Sequence, residues 1–330
     1  MVTIKDIAKK AKVDPSTVSR ALSDSSRVKD ATKSRILEIC REVGYTPNVI
    51  ARALVKRDTK IIGMLVPNMA NSYYSELMVI AGNQARELGF DIMWYNSFLD
   101  EELEKKYFMQ LVEYQVNAII IHPINGNQID FFRRYTTMIP TVFIGDIPET
   151  EGICGVSTDN YKAGMLASSA LIHGGCRHLV FIGARNDRTA HIHRVSGFRD
   201  QCLQSDVRGV VEQSNIEYKS TTDRAYGMFV DTLDFGESFD GVVAVNDHAA
   251  MGIIKACNER GIRIPEDMQL VGFDDLDYSS LPNICLSTVS AERDELISQS
   301  MDLIIRMLQE GIICESRSVA PRLIKRKTSL

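Results

Sequence analysis

Near the N-terminus, Asp14-Pro15-Ser16-Thr17-Val18-Ser19-Arg20 places small hydroxyls and a guanidinium along the opening turns of a helix. Hydroxyls both donate and accept, and arginine presents a planar fork of donors, so these side chains are suited to base edges and phosphates of DNA. Asp14 is a good N-cap and proline fits the first helical position, so the spacing predicts a helix from Pro15 through Leu22. Ahead of it, Ile4, Ile7, Ala8 and Ala11 recur at helical spacing. Two short helices with a tight turn make a helix-turn-helix, whose second helix enters the major groove by its N-terminal residues. Pro15, Ser16, Thr17, Ser19 and Arg20 are therefore the candidate base readers or phosphate clamps, while Val18 and Leu22 face inward. A third helix, from Asp30 to about Val43, brings Ile36, Leu37, Ile39, Cys40 and Val43 to a miniature core and stops at Gly44. Spacing of this kind also occurs in helical bundles that never meet DNA.

The charge distribution favours the DNA reading. Residues 1–60 carry fourteen Lys and Arg against seven Asp and Glu, a formal +7, which leaves −12 on the rest of a chain whose total is −5. A basic end on an acidic body is the footprint of a nucleic-acid-binding head on a soluble carrier, although a solvated charge run has the same composition. A length of 330 residues predicts two or three domains, and 45% hydrophobic with 25% charged residues is a globular rather than a disordered composition. The longest apolar runs, 61–66 and 118–121, are strand-sized, so no membrane span is expected. The first fifteen residues lack the apolar core of a secretory signal, and the seven scattered cysteines contain no C-x-x-C pair. Reduced core thiols in a cytoplasmic protein, with no metal and no cofactor, are the expectation.

The run T-I-K-D-I-A-K-K-A-K-V-D-P-S-T-V-S-R-A-L, followed by G-Y-T-P-N-V-I-A-R-A-L, closely resembles the N-terminal signature of the lactose-repressor/galactose-repressor (LacI/GalR) family. The resemblance implies a helix-turn-helix domain over 1–45, a hinge helix and linker over 46–60, and an effector-binding and dimerisation domain over 61–330. It further implies that the hinge folds on operator DNA and pushes Leu54 into the central minor groove, where an apolar wedge exchanges base stacking for a bent duplex. Without the resemblance, ordinary packing of Leu54 against the body is the simpler reading. Arg52 and Lys56 lie close enough in sequence to meet phosphates, and Thr3, Lys5, Arg27 and Asn48 complete the candidate DNA contacts.

From Ile61 onward, strand-like apolar runs alternate with helical stretches, in two sets that divide near residue 158. Such alternation predicts parallel sheets covered on both faces, hence an α/β body of two doubly wound lobes behind an all-α head. The body resembles the family's sensor, which is similar to periplasmic sugar-binding proteins (type I), through Val156/Asp159/Asn160, the Gly-Phe after Arg194, Ala244–Asp247 and Val271–Asp275. The expected first lobe is about 61–158 with 290–330, and the second about 159–289. Ligands of open α/β lobes bind beyond the carboxyl ends of the strands. That rule selects Tyr73, Tyr74, His122, Asp146, Asn246 and Asp274, with Asn68 beside them, and the motif R-x-x-G-F adds Arg194. Directed donors and acceptors with aromatic cover suit a sugar or sugar phosphate. Duller roles stay open: Asn246 as N-cap of the helix near Asp247, Asp274 and Asp275 as loop caps, His122 as a satisfied core residue.

Two features depart from the family pattern. The usual I-D-R-P is Ile144-Gly145-Asp146-Ile147-Pro148 here, and the aromatic expected about six residues before Tyr226 is Ser220, with Tyr218 nearby. No phosphate-binding glycine loop, nucleophile elbow or metal motif points to catalysis. A homodimer is expected because one head reads only half of a palindromic operator, and no C-terminal heptad extension is present to build a tetramer. The expected function is a sequence-specific, ligand-controlled transcriptional regulator acting on double-stranded operator DNA, a repressor unless the operator's position makes it an activator.

Overall fold

The computed structural model describes residues 2–22, 27–45, 58–146, 151–214, 218–311 and 315–330, and divides into a head ending at Thr59 and a body beginning at Lys60. In the head, α1 (Ile4–Ala11) begins at a capping box: the Thr3 hydroxyl accepts the Asp6 N–H while the Asp6 carboxylate accepts the Thr3 N–H. α2 (Pro15–Leu22) starts where the Asp14 carboxylate accepts the Ser16 N–H at 2.7 Å. α3 (Asp30–Glu42) lies against both, and Ile7, Ala8, Ala11, Val18, Ala21, Ile36, Ile39 and Cys40 form the shared core, with Leu22 and Val43 half-buried at its edge.

The body contains two six-stranded sheets among the described residues. The first is built from β1 (Ile61–Val66), β2 (Asp91–Asn96), β3 (Ala118–Ile121), β4 (Thr141–Ile144), β5 (Cys154–Thr158) and β11 (Ser316–Val319), ordered β11-β5-β4-β3-β1-β2 and parallel throughout. Its inner strands β1, β3 and β4 are apolar on both faces because both faces are covered. Ala118 and Ile120 turn toward α4 (Ser72–Glu87) and α11 (Arg293–Glu310), while Ile119 and Ile121 turn toward α5 (Glu101–Glu113) and α6 (Ile129–Arg133).

The second sheet takes β6 (His178–Ala184), β7 (Arg208–Gln213), β8 (Gly241–Ala244), β9 (Gln269–Phe273), β10 (Ser287–Ser290) and β12 (Arg322–Ile324), ordered β12-β10-β9-β8-β6-β7. All of its pairings are parallel except β10 with β12. Around it lie α7 (Asn160–His173), α8 (Thr189–Gln204), α9 (Thr221–Asp234) and α10 (Asp247–Arg260). The expectation that everything after residue 290 returns to the first lobe needs correction. α11 and β11 do return, but the chain then crosses a third time and β12 closes the edge of the second sheet. The register Thr288↔Ile324 and the Thr328 hydroxyl, which donates to Leu270 O and accepts the Ser287 N–H, hold the tail there.

Cys40, Cys154, Cys176, Cys202 and Cys257 are buried free thiols, whereas Cys285 is only half-buried and so is not a core residue. Cys314 lies outside the described residues. Among the described residues no helix is long and apolar enough to cross a membrane.

Two glycines set the spacing of α7 and α8. A Cβ on Gly164 would stand 2.1 Å from the Arg194 carbonyl oxygen, and one on Gly197 would stand 2.0 Å from the Tyr161 carbonyl oxygen. Both obstacles are backbone, so neither helix can yield without shifting as a body. Gly164→Ala is therefore expected to cost about 1–3 kcal/mol through overpacking, read as a lower denaturation midpoint at unchanged slope.

Candidate functional site

In the head, the outward face of α2 presents Pro15, Ser16 and Arg20 exposed, with Thr17 and Ser19 half-buried beside them and Val18 fully buried beneath. Thr3, Lys5 and Arg27 are also exposed, although the Thr3 hydroxyl is engaged in the capping box. Asn48, Arg52, Leu54 and Lys56 lie outside the described residues.

In the body, a cleft of about 630 Å³ opens between the lobes at the carboxyl ends of both sheets. Tyr73, Tyr74, His122, Asp146, Arg194, Asn246 and Asp274 all line it, together with Asn68. The first lobe contributes the aromatic wall. The rings of Tyr73 and Tyr74, from the first turn of α4, meet edge to face at 5.3 Å between centroids, and His122, just past β3, stands edge-on to Tyr74 at 4.9 Å. Burial holds the His122 imidazole neutral, down to about 4 from the usual range, and raises both tyrosine hydroxyls.

The second lobe contributes the charged wall. Arg194 occupies the second turn of α8, which starts five residues earlier, at Thr189. Its Nε donates to Asn160 Oδ1 at 2.8 Å and one terminal nitrogen donates to Val245 O at 2.7 Å. The other terminal nitrogen stands 3.5 Å from Asp274 Oδ1, and the guanidinium lies 4.5 Å from the centre of the Phe273 ring. Asp274 is buried, and burial outweighs the adjoining cations so that its carboxyl titrates above the ordinary range. Asn246 serves two ends: its Oδ1 N-caps α10 through the Ala249 N–H at 2.9 Å, and the residue lines the cleft.

Asp146 is placed differently from a free ligand. Its carboxylate accepts from Asn160 Nδ2 at 3.2 Å and lies 2.6 Å from His193 Nδ1, so it bonds the first lobe to the second. Arg188 makes a second such bond, donating to the Ile124 carbonyl. His193 is thereby explained as a cross-lobe partner. His191 is explained as a cleft residue whose Nδ1 accepts the Arg185 N–H; burial and the guanidiniums of Arg194, Arg188 and Arg224 hold it neutral, down to about 3.

Sequence reasoning missed Asn160, Arg188, Arg224 and Asp247. Asn160 stood in a quoted motif without a role. Asp247 is fully buried and accepts from Leu276 N, Ser279 Oγ and Thr288 Oγ1, fixing the loop that follows Asp274. Ser220, where an aromatic was expected, N-caps α9 through the Asp223 N–H, while Tyr218 lines the cleft. Among the described residues no three His, Cys, Asp or Glu side chains come together as a metal-binding set.

The two neutral imidazoles carry a pH dependence of definite sign. Their folded-state values lie below the unfolded value near 6.5, so their contribution is complete above it and is lost as pH falls from there toward about 4 for His122 and about 3 for His191. In a proton NMR titration of the histidine rings, with His122→Gln and His191→Gln for assignment, both resonances are expected to stay fixed from about pH 8 to pH 5. Movement of either one near pH 6.5 would contradict this placement.

Residues 3–48 match bacterial regulatory proteins of the lacI family, and residues 169–329 match the periplasmic binding protein-like domain. The ribose operon repressor of Bacillus subtilis is 30% identical over 333 residues, spanning 100% of this chain and 99% of its own. The HTH-type transcriptional regulator RegA of Clostridium saccharobutylicum is 29% identical over 334 residues, at 99% of each chain. The crystal structure of the lac repressor dimer bound to operator and the anti-inducer ONPF superposes with a TM-score of 0.87 at 22% identity, covering 100% of this chain and 99% of that one. With a head of that type and a full-length relative at 30% identity, this chain belongs to the lacI family of bacterial regulatory proteins and is a DNA-binding transcriptional regulator, not an enzyme.

Proposed function

We propose that the chain is a repressor that binds a palindromic operator as a homodimer and responds to a sugar or sugar derivative held in the cleft between its lobes. One observation carries the effector reading: three aromatic rings, packed edge to face, lie across a cavity of about 630 Å³ from a fixed guanidinium, carboxylate and carboxamide. A pyranose or furanose has apolar C–H faces for the rings and adjacent hydroxyls for Arg194, Asn246 and Asp274, and the cavity is of small-molecule size. Similar proteins support the class: one relative is a ribose operon repressor, and the regulator CelR, solved with cellobiose, superposes at a TM-score of 0.71 and 20% identity. In the head, α2 offers Ser16 and Arg20 to the major groove, and Leu54 with Arg52, Lys56 and Asn48 supplies the hinge contacts. The lac repressor dimer on its operator is the precedent for a two-fold assembly.

Ser16→Ala and Arg20→Ala are expected to cost about 1–3 kcal/mol each on operator DNA and little on unrelated duplex, while Lys56→Ala lowers the salt dependence for every sequence. The effector is sought by thermal shift with D-ribose, cellobiose, their phosphates and nucleobases. Arg194→Ala should erase the shift and the change in operator affinity yet keep basal DNA binding, and Leu54→Ala should do the reverse. Stabilisation by nucleobases alone, or an undiminished response in Arg194→Ala, would sink the sugar-cleft reading.

A further inference from the structure

The turn that delivers Asp274 to the cleft is conformationally costly. Asp274 and Asp275 both have left-handed backbones, with φ of 103° and 53°, a region that non-glycine residues enter only when their surroundings hold them there. Part of what holds this turn comes from the other lobe. Arg293, the first residue of α11, donates one terminal nitrogen to the Asp274 carbonyl and the other to the Asp275 carbonyl at 2.9 Å. That second nitrogen also lies 2.7 Å from the carboxylate of Glu76, in the second turn of α4. The backbone N–H of Asp277 also favours the ionised form of that carboxylate. Both side chains belong to the first lobe: Arg293 grips main-chain carbonyls of the second, and Glu76 holds the guanidinium that does so.

The grip is mostly out of water, with about 12% of the Arg293 side chain and 24% of the Glu76 side chain exposed. A guanidinium with so little solvent must keep its acceptors, so Arg293 cannot release the two carbonyls without a substitute. Within the second lobe, the Asp275 carboxylate is pinned by Arg326 at 2.6 Å and the Leu276 N–H by Asp247. The Asp274 carboxylate faces Arg194 in the cleft while its own carbonyl is held by Arg293. One residue is thus attached to the ligand site by its side chain and to the first lobe by its backbone.

We propose that Arg293 and Glu76 are positioning residues: a clamp in which Arg293 of α11 holds the carbonyls of Asp274 and Asp275 and Glu76 of α4 fixes that guanidinium, so that a load placed on the Asp274 carboxylate is passed to the first lobe through the backbone. The consequence for regulation rests on the effector reading above; the clamp itself does not, and it is tested without a ligand. Neither residue needs to touch an effector. The clamp couples the lobes because its acceptors are carbonyls of one lobe and its donor is rooted in the other.

Hydrogen–deuterium exchange of the full chain reads the turn separately from the sheets. In Arg293→Met and in Glu76→Met, exchange over 274–280 is expected to rise at least about tenfold, while 119–121 and 242–244 keep the parent's protection. The swap Glu76→Arg with Arg293→Glu rebuilds the ion pair but sets a carboxylate against two carbonyls. Its melting temperature should therefore stay below the parent's, and the turn should stay unprotected. An ordinary structural salt bridge would recover in both readouts, and that result would overturn the clamp. So would parent-like exchange over 274–280 in Arg293→Met, or a rise spread evenly over both sheets. Adding D-ribose to the parent afterwards bears only on the effector reading, since absence of any sugar binding leaves the exchange result as it stands.

Discussion

A guanidinium taken largely out of water has to be surrounded by acceptors, and much of the second lobe is arranged around that need at Arg194. Its acceptors come from three separate places: Asn160 at the start of α7, the Val245 carbonyl just past β8, and Asp274 just past β9. β8 and β9 are neighbours in the sheet, so their ends fall side by side and can share one donor. Arg194 reaches them because Gly164 and Gly197 let α7 and α8 approach until backbone meets backbone. Phe273 underlies the guanidinium and is the last residue of β9, directly before Asp274. Charge, carbonyl, carboxylate and ring therefore form one unit, and its rigidity is what a specific polar wall requires.

The two lobes divide the cleft by chemistry. The first supplies rings whose neighbours are other rings, and burial suppresses the charge that His122 could carry. The second supplies guanidiniums, each carboxylate beside them being already engaged: Asp187 by Arg185 through two nitrogens, Asp274 by Arg194. The bonds described between the lobes are polar, Asp146 to Asn160 and His193, Arg188 to Ile124 O and Arg293 to the carbonyls of Asp274 and Asp275, whereas each lobe's own core is apolar and closely packed. Polar contacts exchange with water at small net cost, and packed apolar cores do not.

The head solves a different problem. Three short helices bury little surface, so end effects weigh heavily in its stability. The reciprocal Thr3–Asp6 cap and the Asp14 carboxylate on the Ser16 N–H satisfy amide groups that would otherwise be orphaned, and they do so beside the residues assigned to DNA. The same local chemistry that starts α2 thus sets the direction in which Ser16 and Arg20 leave it.

What the amino-acid sequence determined by itself was everything governed by short-range periodicity. Apolar residues at helical spacing and the Asp14-Pro15 start marked the head, and buried runs alternating with helices marked two parallel-sheet lobes. Because cleft residues of such sheets sit just past strand ends, Tyr73, His122, Asn246 and Asp274 were legible from strand positions alone, before any contact between them was visible. What only the tertiary structure decided were the partnerships across sequence distance. Asp146 with His193, Arg293 with Glu76 and the carbonyls of Asp274 and Asp275, and the return of β12 to the second sheet all join segments far apart in the chain. No local pattern encodes them. A hydrogen bond is chosen by which donors and acceptors packing leaves together out of water, and that is settled only when the sheets, the helices between them and the three crossings of the chain are all in place.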